Sequence, residues 1–234
     1  IEYSYNYSST HNSKDVMVTT IKNYSDSTHY QETVTASYRY DENPFFAKKP
    51  IYIKSPTGAM TYYEMPTEAG SSGEWVEKTY VGAAANSGSD YLYTTVLGQT
   101  FYLIPNKSTR IDTVRDSRGF VLRTETYVHT GSGSFTEVAS TEYEYEAAGY
   151  VKKVTGSNNT VAETTWTDGR ATETTAPDGT SMAYTYDNLG RVTSQTRAAT
   201  TVGVEGFATP QLVTVFEYDE ASRLVKQKVG PIPV

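Results

Sequence analysis

The chain has 234 residues, no cysteine and a formal net charge of −7, and its apolar mass lies mainly in 21 tyrosines and 7 phenylalanines. Such a length suits one large all-β domain or two ordinary domains, and aromatic and β-branched side chains favour strands. The composition excludes disulfides and thiolate metal sites. The lack of basic clusters argues against nucleic acid as a partner, and no stretch approaches the about 18 apolar residues of a membrane-spanning helix.

The first 41 residues predict a meander of antiparallel strands. Three strand-like runs, 1–8, 15–24 and 29–41, are separated by clusters of Ser, Thr, Asn and Asp, which are typical of turns. The first run alternates apolar and polar residues without a proline or a lysine. We therefore expect its outer edge to be covered by upstream sequence or by another chain.

Residues 42–115 depart from regular strand spacing. Prolines divide the segment into short strands such as 51–54 and 60–64. We interpret it as an irregular β section of the same sheet, and a small inserted domain is the alternative. The predicted domain organisation is thus 1–41, 42–115 and 116–234.

Two further elements fall within this middle segment. Residues 74–85 have the length of one short helix, which Val81-Gly82 would interrupt. Residues 91–97 and 99–104 predict a hairpin around Gly98.

The segment 116–234 contains an internal repeat. The strongest copy, Tyr184–Val192, is echoed by Phe216–Leu224 and more weakly by Tyr143–Val151, and each reads aromatic-x-Tyr-acid-x-x-small-x-aliphatic. A shortened copy lies between them, and the spacing predicts an insertion within 198–211. The residues that carry the motif are Tyr143, Tyr145, Glu146, Gly149, Trp166, Asp168, Gly169, Arg170, Tyr184, Tyr186, Asp187, Gly190, Arg191, Phe216, Tyr218, Asp219 and Arg223.

The letters of one copy predict a hairpin. Alternate aromatic residues project from the same face of a strand, and we expect these rings to stack on those of the next copy, with the arginines that follow the turns over neighbouring rings. The acid starts a turn by accepting backbone N–H groups, and the glycine supplies the positive φ that closes it. Turns about every 10 residues describe a long antiparallel meander. The predicted turns are 116–119, 146–149, 168–170, 177–180, 187–190 and 219–222.

These copies resemble the YD repeat, and the stretch from Asp178 to Arg191 is similar to the consensus of RHS-repeat proteins. The resemblance is specific over about 116–229 and looser over 1–41. The resemblance implies a large bacterial protein that is secreted or lies at the cell surface. Its β-sheet ribbon would spiral into a hollow shell. In bacterial members the shell commonly encloses a C-terminal toxic domain, and self-cleavage uses an Asp-Pro motif. No Asp-Pro dipeptide occurs here.

The sequence carries no recognisable catalytic or cofactor motif. A nucleophile elbow, a phosphate-binding loop and a dinucleotide fingerprint are absent, so we expect neither enzyme activity nor a cofactor. His11, His29 and His129 lie far apart and are interpreted as surface residues rather than a zinc site. The acids beside the turns are interpreted as turn caps rather than calcium ligands.

Two functions follow as expectations. The first is a non-catalytic structural segment of a shell, a container or scaffold for a toxin carried elsewhere in the parent protein. Its partners would be the rest of the parent RHS-type chain or identical chains. The alternative is a carbohydrate-binding cell-surface module in which Trp75 and Trp166 stack on sugar rings, against the competing interpretation that both side chains are buried in the core.

Overall fold

The fold consists of β-strands. The computed structural model describes residues 2–11, 14–25, 30–38, 49–64, 66–69, 73–83, 90–202 and 207–231. In these ranges the regular elements are strands that pair in antiparallel fashion, which confirms the predicted all-β meander. The strands are β1 (Glu2–His11), β2 (Lys14–Tyr24), β3 (Tyr30–Tyr38), β4 (Pro50–Lys54), β5 (Ala59–Tyr63), β6 (Thr67–Ala69), β7 (Glu74–Ala83), β8 (Tyr91–Val96), β9 (Gln99–Leu103), β10 (Thr109–Arg115), β11 (Val121–Gly131), β12 (Ser134–Tyr145), β13 (Val151–Gly156), β14 (Val161–Thr167), β15 (Arg170–Thr175), β16 (Ser181–Tyr186), β17 (Val192–Arg197), β18 (Thr200–Val202), β19 (Phe207–Thr209), β20 (Leu212–Tyr218) and β21 (Leu224–Pro231).

The chain divides into two compact units, Ile1–Ser140 and Thr141–Val234. In the first unit, β1 to β5 pair in sequence. Strand β7 then pairs with β5 and β6 along one edge and with β10 along the other, and β10 pairs with β11. Strands β8 and β9 form the predicted hairpin around Gly98. The three predicted segments, bounded at 41/42 and 115/116, stay a prediction.

A hydrophobic core lies in the first unit. It is built largely from alternate residues of paired strands, which project from one face of a sheet. Tyr80 packs on Tyr93, with ring centroids 4.6 Å apart. The buried members are Val16, Ala36, Ile51, Tyr52, Met60, Tyr80, Val96, Phe101 and Leu103.

Residues 74–83 form a strand, so the short helix allowed there is wrong. Trp75, Val76 and Tyr80 have side chains that favour strands, and β7 has hydrogen-bonded neighbours along both edges. Gly82 does not interrupt the strand. A Cβ atom at that position would collide with the carbonyl oxygen of Tyr102 and lie 2.9 Å from Cζ of Phe101, so the glycine permits the close approach of β9.

His129 also differs from expectation. It is fully buried in β11, where its ring centroid lies 5.4 Å from that of Phe135. The main-chain N–H of Gly133 donates to its Nε2 atom. The interpretation as a surface residue is therefore wrong for His129, whereas the side chain of His11 and all of His29 lie outside the described residues.

The second unit is a meander. Strands β12 to β17, and then β20 and β21, each pair with the next strand in this order. The predicted insertion within 198–211 contains a separate two-stranded sheet of β18 and β19. Among the residues of this unit that the structure describes, none is fully buried. Packing in this unit is thus between half-exposed side chains.

We expect Gly82→Ala to destabilise the chain by about 1–3 kcal/mol, because the added methyl group overpacks the contact between β7 and β9. Urea denaturation of the two proteins measures the difference. Gly230→Ala is the matched control, because a Cβ atom there meets nothing within 4 Å. Equal effects of the two substitutions would contradict the packing role of Gly82.

Candidate functional site

Seven of the described turns share one hydrogen-bond pattern. At Asp187, the carbonyl oxygen accepts from the N–H of Gly190 and the N–H donates to the carbonyl of Arg191, both at 3.0 Å. Gly190 has a φ of 82°, in the left-handed region that glycine tolerates. This is a type I turn followed by a left-handed residue, a common closure of short hairpin loops. The same pattern closes the loops 55–59, 116–120, 146–150, 156–160, 176–180 and 219–223.

The acid that starts a turn also caps it. Oδ1 of Asp187 accepts from the N–H groups of Leu189 and Arg191 at 2.9 and 3.0 Å, and Oδ2 accepts from Nε of Arg191 at 2.6 Å. Asp219 is bonded in the same way to the N–H and Nε of Arg223. The backbone N–H groups that donate to these two carboxylates have the larger effect, and the guanidinium groups add to it. Together they hold the pKa of both carboxyls below their ordinary range.

One aromatic side chain in each of three hairpins donates to the backbone of the preceding hairpin. The acceptor is always the second residue after a turn, because the register places that carbonyl beside the incoming ring. Nε1 of Trp166 donates to the carbonyl of Val151 at 2.8 Å. The hydroxyl of Tyr186 donates to the carbonyl of Ala171 at 2.6 Å, and the hydroxyl of Tyr218 donates to the carbonyl of Val192 at 2.9 Å.

The residue that ends each of these turns lies against the same ring. The guanidinium carbon of Arg191 is 4.9 Å from the ring centroid of Tyr218, and that of Arg170 is 5.8 Å from the ring centroid of Tyr186. The face of an aromatic ring attracts a cation at this range. We call this arrangement the turn–ring contact: the residue that ends a turn packs against an aromatic ring of the next hairpin, and the polar group of that ring donates to the carbonyl of the residue that follows the turn's last residue.

Neighbouring turns also touch directly. A Cβ atom at Gly190 would lie 3.0 Å from Nη2 of Arg170, so the turn at 187–190 sits against the arginine of the preceding turn. Nη1 of Arg191 donates to the carbonyl of Asp219 and to Oγ of Ser222, at 3.2 Å each. The turns of the second unit are therefore stacked on one another.

The turn at 146–150 is an exception to the acid–arginine pairing. Tyr150 stands where arginine stands in the other copies, and it stacks on Trp166 with centroids 4.7 Å apart and ring planes inclined by 19°. Glu146 stands where aspartate does, and its Oε1 atom is buried without a hydrogen-bond partner. The extra methylene of Glu146 and the loss of the arginine thus leave this carboxylate uncapped.

The predicted aromatic pairs have the expected alternation. Tyr184 and Tyr186 are half-buried while Thr185 between them is exposed, and the pairs at 143/145 and 216/218 show the same pattern. The second ring of a pair does not have the neighbour that a row of stacked rings predicts. At Tyr186 and Tyr218 a guanidinium group, and not another aromatic ring, lies against the ring.

The two tryptophans lie in different units. Trp75 is half-buried in β7, and Trp166 is half-buried in β14. Trp166 borders an open cleft of about 460 Å³ whose charged lining includes Glu144 and Lys152. These two side chains form an ion pair at 3.3 Å. The Trp166 side chain thus lines a cleft beside charged groups.

A second polar cluster lies in the first unit. Glu77 of β7 accepts from Lys49 and, at 2.9 Å, from Nε of Arg115. Although burial opposes ionisation, these two cations lower the pKa of the Glu77 carboxyl. Within the described ranges, no three His, Cys, Asp or Glu side chains come together as a metal site would require. No helix in those ranges has the length and apolar character needed to cross a membrane.

The RHS Repeat family matches residues 166–202. The match begins at Trp166 and includes the turns at 168–169 and 187–190, with the turn–ring contact of Arg170 and Tyr186. Residues 166–202 therefore match an RHS repeat.

Two solved structures resemble the chain. The crystal structure of TcdB2-TccC3-TEV gives a TM-score of 0.32 and 13% identity over 94% of this chain and 14% of that one. The crystal structure of TcdB2-TccC3 without its hypervariable C-terminal region gives 0.41 and 14%, over 91% and 12%. This chain thus spans about one seventh or less of the length of either. No curated protein gives a match.

Inside the RHS repeat, Tyr186→Phe should reduce stability by about 1 kcal/mol, because the carbonyl of Ala171 loses its donor. Tyr184→Phe is the matched control. It lies two residues away on the same strand, and its hydroxyl has no hydrogen-bond partner among the described residues. Urea denaturation compares the two, and equal losses would show that the hydroxyl of Tyr186 contributes nothing specific.

Glu146→Asp should stabilise the chain by about 1 kcal/mol, since the shorter carboxylate can accept the turn N–H groups, as Asp187 does. The reciprocal change, Asp187→Glu, should destabilise it. Thermal unfolding, monitored by circular dichroism, tests both. A loss of stability in Glu146→Asp would contradict the prediction, because it would show that the Glu146 side chain stabilises the chain in its present position.

Acid should weaken the turns. The lowered pKa values of Asp187 and Asp219 mean that their contribution to stability is fully present above the unfolded-state pKa of about 3.9. It is lost as the pH falls through the lower folded-state pKa. The urea midpoint measured between pH 7 and pH 2 should therefore fall steeply below about pH 4, and less steeply in Asp187→Asn. An unchanged acid limb in that variant would contradict the role of the cap.

Proposed function

We propose that this chain is a non-catalytic wall segment of a secreted or cell-surface bacterial shell of the RHS type. The wall acts as a container or scaffold for a toxic domain carried elsewhere in the parent protein. The observation that carries this proposal is the turn–ring contact, which joins successive hairpins of the second unit, with an arginine against the ring at Tyr186 and Tyr218 and with Tyr150 in its place at Trp166. A sheet built by such a repeated step lengthens by adding hairpins and supplies extended surface.

The state of the acidic side chains supports a structural role. Carboxylates are the first candidates for acid–base chemistry in a chain of this composition. Those of Asp187 and Asp219 are instead engaged by backbone N–H groups and arginines within their own turns. Asp116 is bonded to the N–H groups of Arg118 and Phe120 in a similar way. Groups that hold a turn closed are not available to transfer protons to a substrate.

Carbohydrate binding is the second candidate function, and the cleft beside Trp166 favours it. An aromatic ring bordered by ion-paired and hydroxyl side chains has the mixture of apolar face and polar rim that small-molecule sites use. One face of the Trp166 ring is covered by Tyr150, and its Nε1 edge is bonded to the carbonyl of Val151, so a ligand would meet the part of the ring that lines the cleft. Trp75 lies in the other unit, in β7.

A glycan array separates the two functions. The 234-residue chain should show no saturable binding if it is a plain wall segment. Saturable binding to a glycan that is lost in Trp166→Ala and kept in Trp75→Phe would instead support the carbohydrate-binding function and contradict the proposal. Circular dichroism of both variants checks that the strands remain folded.

A further inference from the structure

The sheet of the second unit has two chemically different faces. Alternate residues of a strand share a face, and so do residues that lie opposite each other on paired strands. Tyr184 therefore shares its face with Gln195 and Thr214, and we call this the aromatic face. The other face carries charged residues, among them Glu144, Lys153, Glu163, Glu173, Glu217, Lys226 and Lys228.

Arg197 is the exception to this division. It lies opposite Met182 of β16 and Leu212 of β20, which places it on the aromatic face. Among the described residues of β13 to β17, β20 and β21 that the register assigns to this face, Arg197 alone carries a charge. A charge among half-buried rings and aliphatic side chains loses solvation and needs a partner.

Arg197 lacks that partner in the described part of the chain. Its Nε atom is buried and donates to no acceptor, and no described acid forms an ion pair with its guanidinium group. A buried donor that is left unpaired costs free energy. The guanidinium group of Arg197 therefore has an unused donor for an acceptor from outside the chain.

Arg197 also lines a cleft of about 190 Å³, and no acid is among the described residues that line it. The amide of Gln195 donates to the sulfur of Met182, a weak acceptor that an oxygen atom can displace. Guanidinium, amide and hydroxyl groups thus line one space with apolar walls, a combination that binding sites use. The lining residues are Met182, Gln195, Arg197, Leu212, Thr214 and Val229.

The charge of the cleft matches a carboxylate. A carboxylate carries one negative charge and accepts two parallel N–H bonds from a guanidinium group, so Arg197 alone neutralises it. A phosphate group carries about two negative charges at neutral pH. The described lining of the cleft offers no second cation for it.

The size of the cleft matches one side chain. Sites that enclose a whole small molecule measure about 300–1,000 Å³, which is larger than the 190 Å³ at Arg197. The half-buried rings of Tyr184 and Phe216 lie on the same face, two residues further along strands that line the cleft. An extended polypeptide with an acidic side chain in the cleft would also contact these rings, which a free acid cannot do.

We infer that the cleft at Arg197 binds the carboxylate of a glutamate side chain in a polypeptide that lies along the aromatic face. Arg197 donates to the two carboxylate oxygens, the amide of Gln195 exchanges its sulfur acceptor for one of them, and the methylene groups pack on Leu212 and Val229. This names the chemistry by which the wall segment holds a polypeptide, and so rests on the proposed function.

The test titrates the ¹⁵N-labelled 234-residue chain with two blocked peptides, acetyl-Val-Glu-Val-amide and acetyl-Val-Gln-Val-amide, which differ only in the carboxylate. The Nε–H resonance of Arg197 should shift saturably with the glutamate peptide. The glutamine peptide should bind tenfold or more weakly, because it lacks the charge-assisted hydrogen bonds. Equal binding of the two peptides would overturn the inference, as would no shift with either.

A third probe separates a polypeptide from a free acid. N-acetylglutamate amide presents the same carboxylate without neighbouring residues, so it should bind more weakly than the glutamate peptide. Equal binding of these two probes would overturn the polypeptide as the occupant of the cleft.

Arg197→Gln should weaken binding of the glutamate peptide tenfold or more, because the cleft loses its charge. Binding to the variant is followed at the backbone N–H of Thr214. Arg223→Gln is the matched control, because Arg223 is exposed and already paired with Asp219. Equal effects of the two substitutions would overturn the inference.

A stability measurement separates ligand binding from a structural role of Arg197. Arg197→Met keeps an unbranched side chain and removes the unpaired donor, so the urea midpoint of the free chain should stay the same or rise. A clear fall of the midpoint would assign Arg197 to the stability of the sheet and overturn the inference.

The outcome is distinguishable from that of the glycan array. No response to the glutamate peptide, together with a negative array, would remove the site at Arg197 and leave the wall segment in place. A carboxylate-dependent response together with a tryptophan-dependent glycan signal would retain the site and remove the purely structural function.

Discussion

The second unit depends on the contact between the end of one turn and the aromatic ring of the next hairpin. None of its described residues is fully buried, so it lacks the enclosed core that usually selects one register of strands. The ring of Tyr218 provides a substitute. It is held from one side by the guanidinium group of Arg191 and from its edge by the carbonyl of Val192. Each such contact contributes about 1–2 kcal/mol to the free energy of unfolding, and its repetition stabilises the sheet.

The first unit is stabilised in another way. Its buried side chains lie on strands that are distant in sequence, and β7 joins them by pairing with strands that precede and follow it. Gly82 shows how tightly these strands approach one another. The chain therefore combines a conventional aromatic core with a repeat that is stabilised locally.

The repeat could be predicted because its turn chemistry is local. An acid followed by a glycine three residues later determines both the cap and the left-handed residue, as at Asp187 and Gly190. The loop at 156–160 escaped prediction because Asn159 takes the left-handed position without a preceding acid. The strand at 74–83 was ambiguous because its apolar residues fit two periods, and only pairing along both edges decides between them.

The partners of the rings could be predicted only in part. The arginines after the turns were recognisable, but which side chain meets a given ring depends on the register between hairpins, which no local pattern encodes. The acceptor carbonyls of Val151, Ala171 and Val192 carry no sequence signal, because every residue has a carbonyl group. In the copy with Glu146 and Tyr150, the pair of an acid and an arginine is absent. Tyr150 stacks on Trp166 instead, so this copy still makes a contact between its turn and the next ring.

A double-mutant cycle on Arg191 and Tyr218 tests the central claim most directly. Free energies of unfolding are measured for the chain, for Arg191→Ala, for Tyr218→Ala and for the double variant. The turn–ring contact predicts a coupling free energy of about 0.5–1 kcal/mol or more, and a cycle on Arg223 and Tyr184 should give none. Coupling within error of zero for Arg191 and Tyr218 would contradict the view that this contact joins the hairpins.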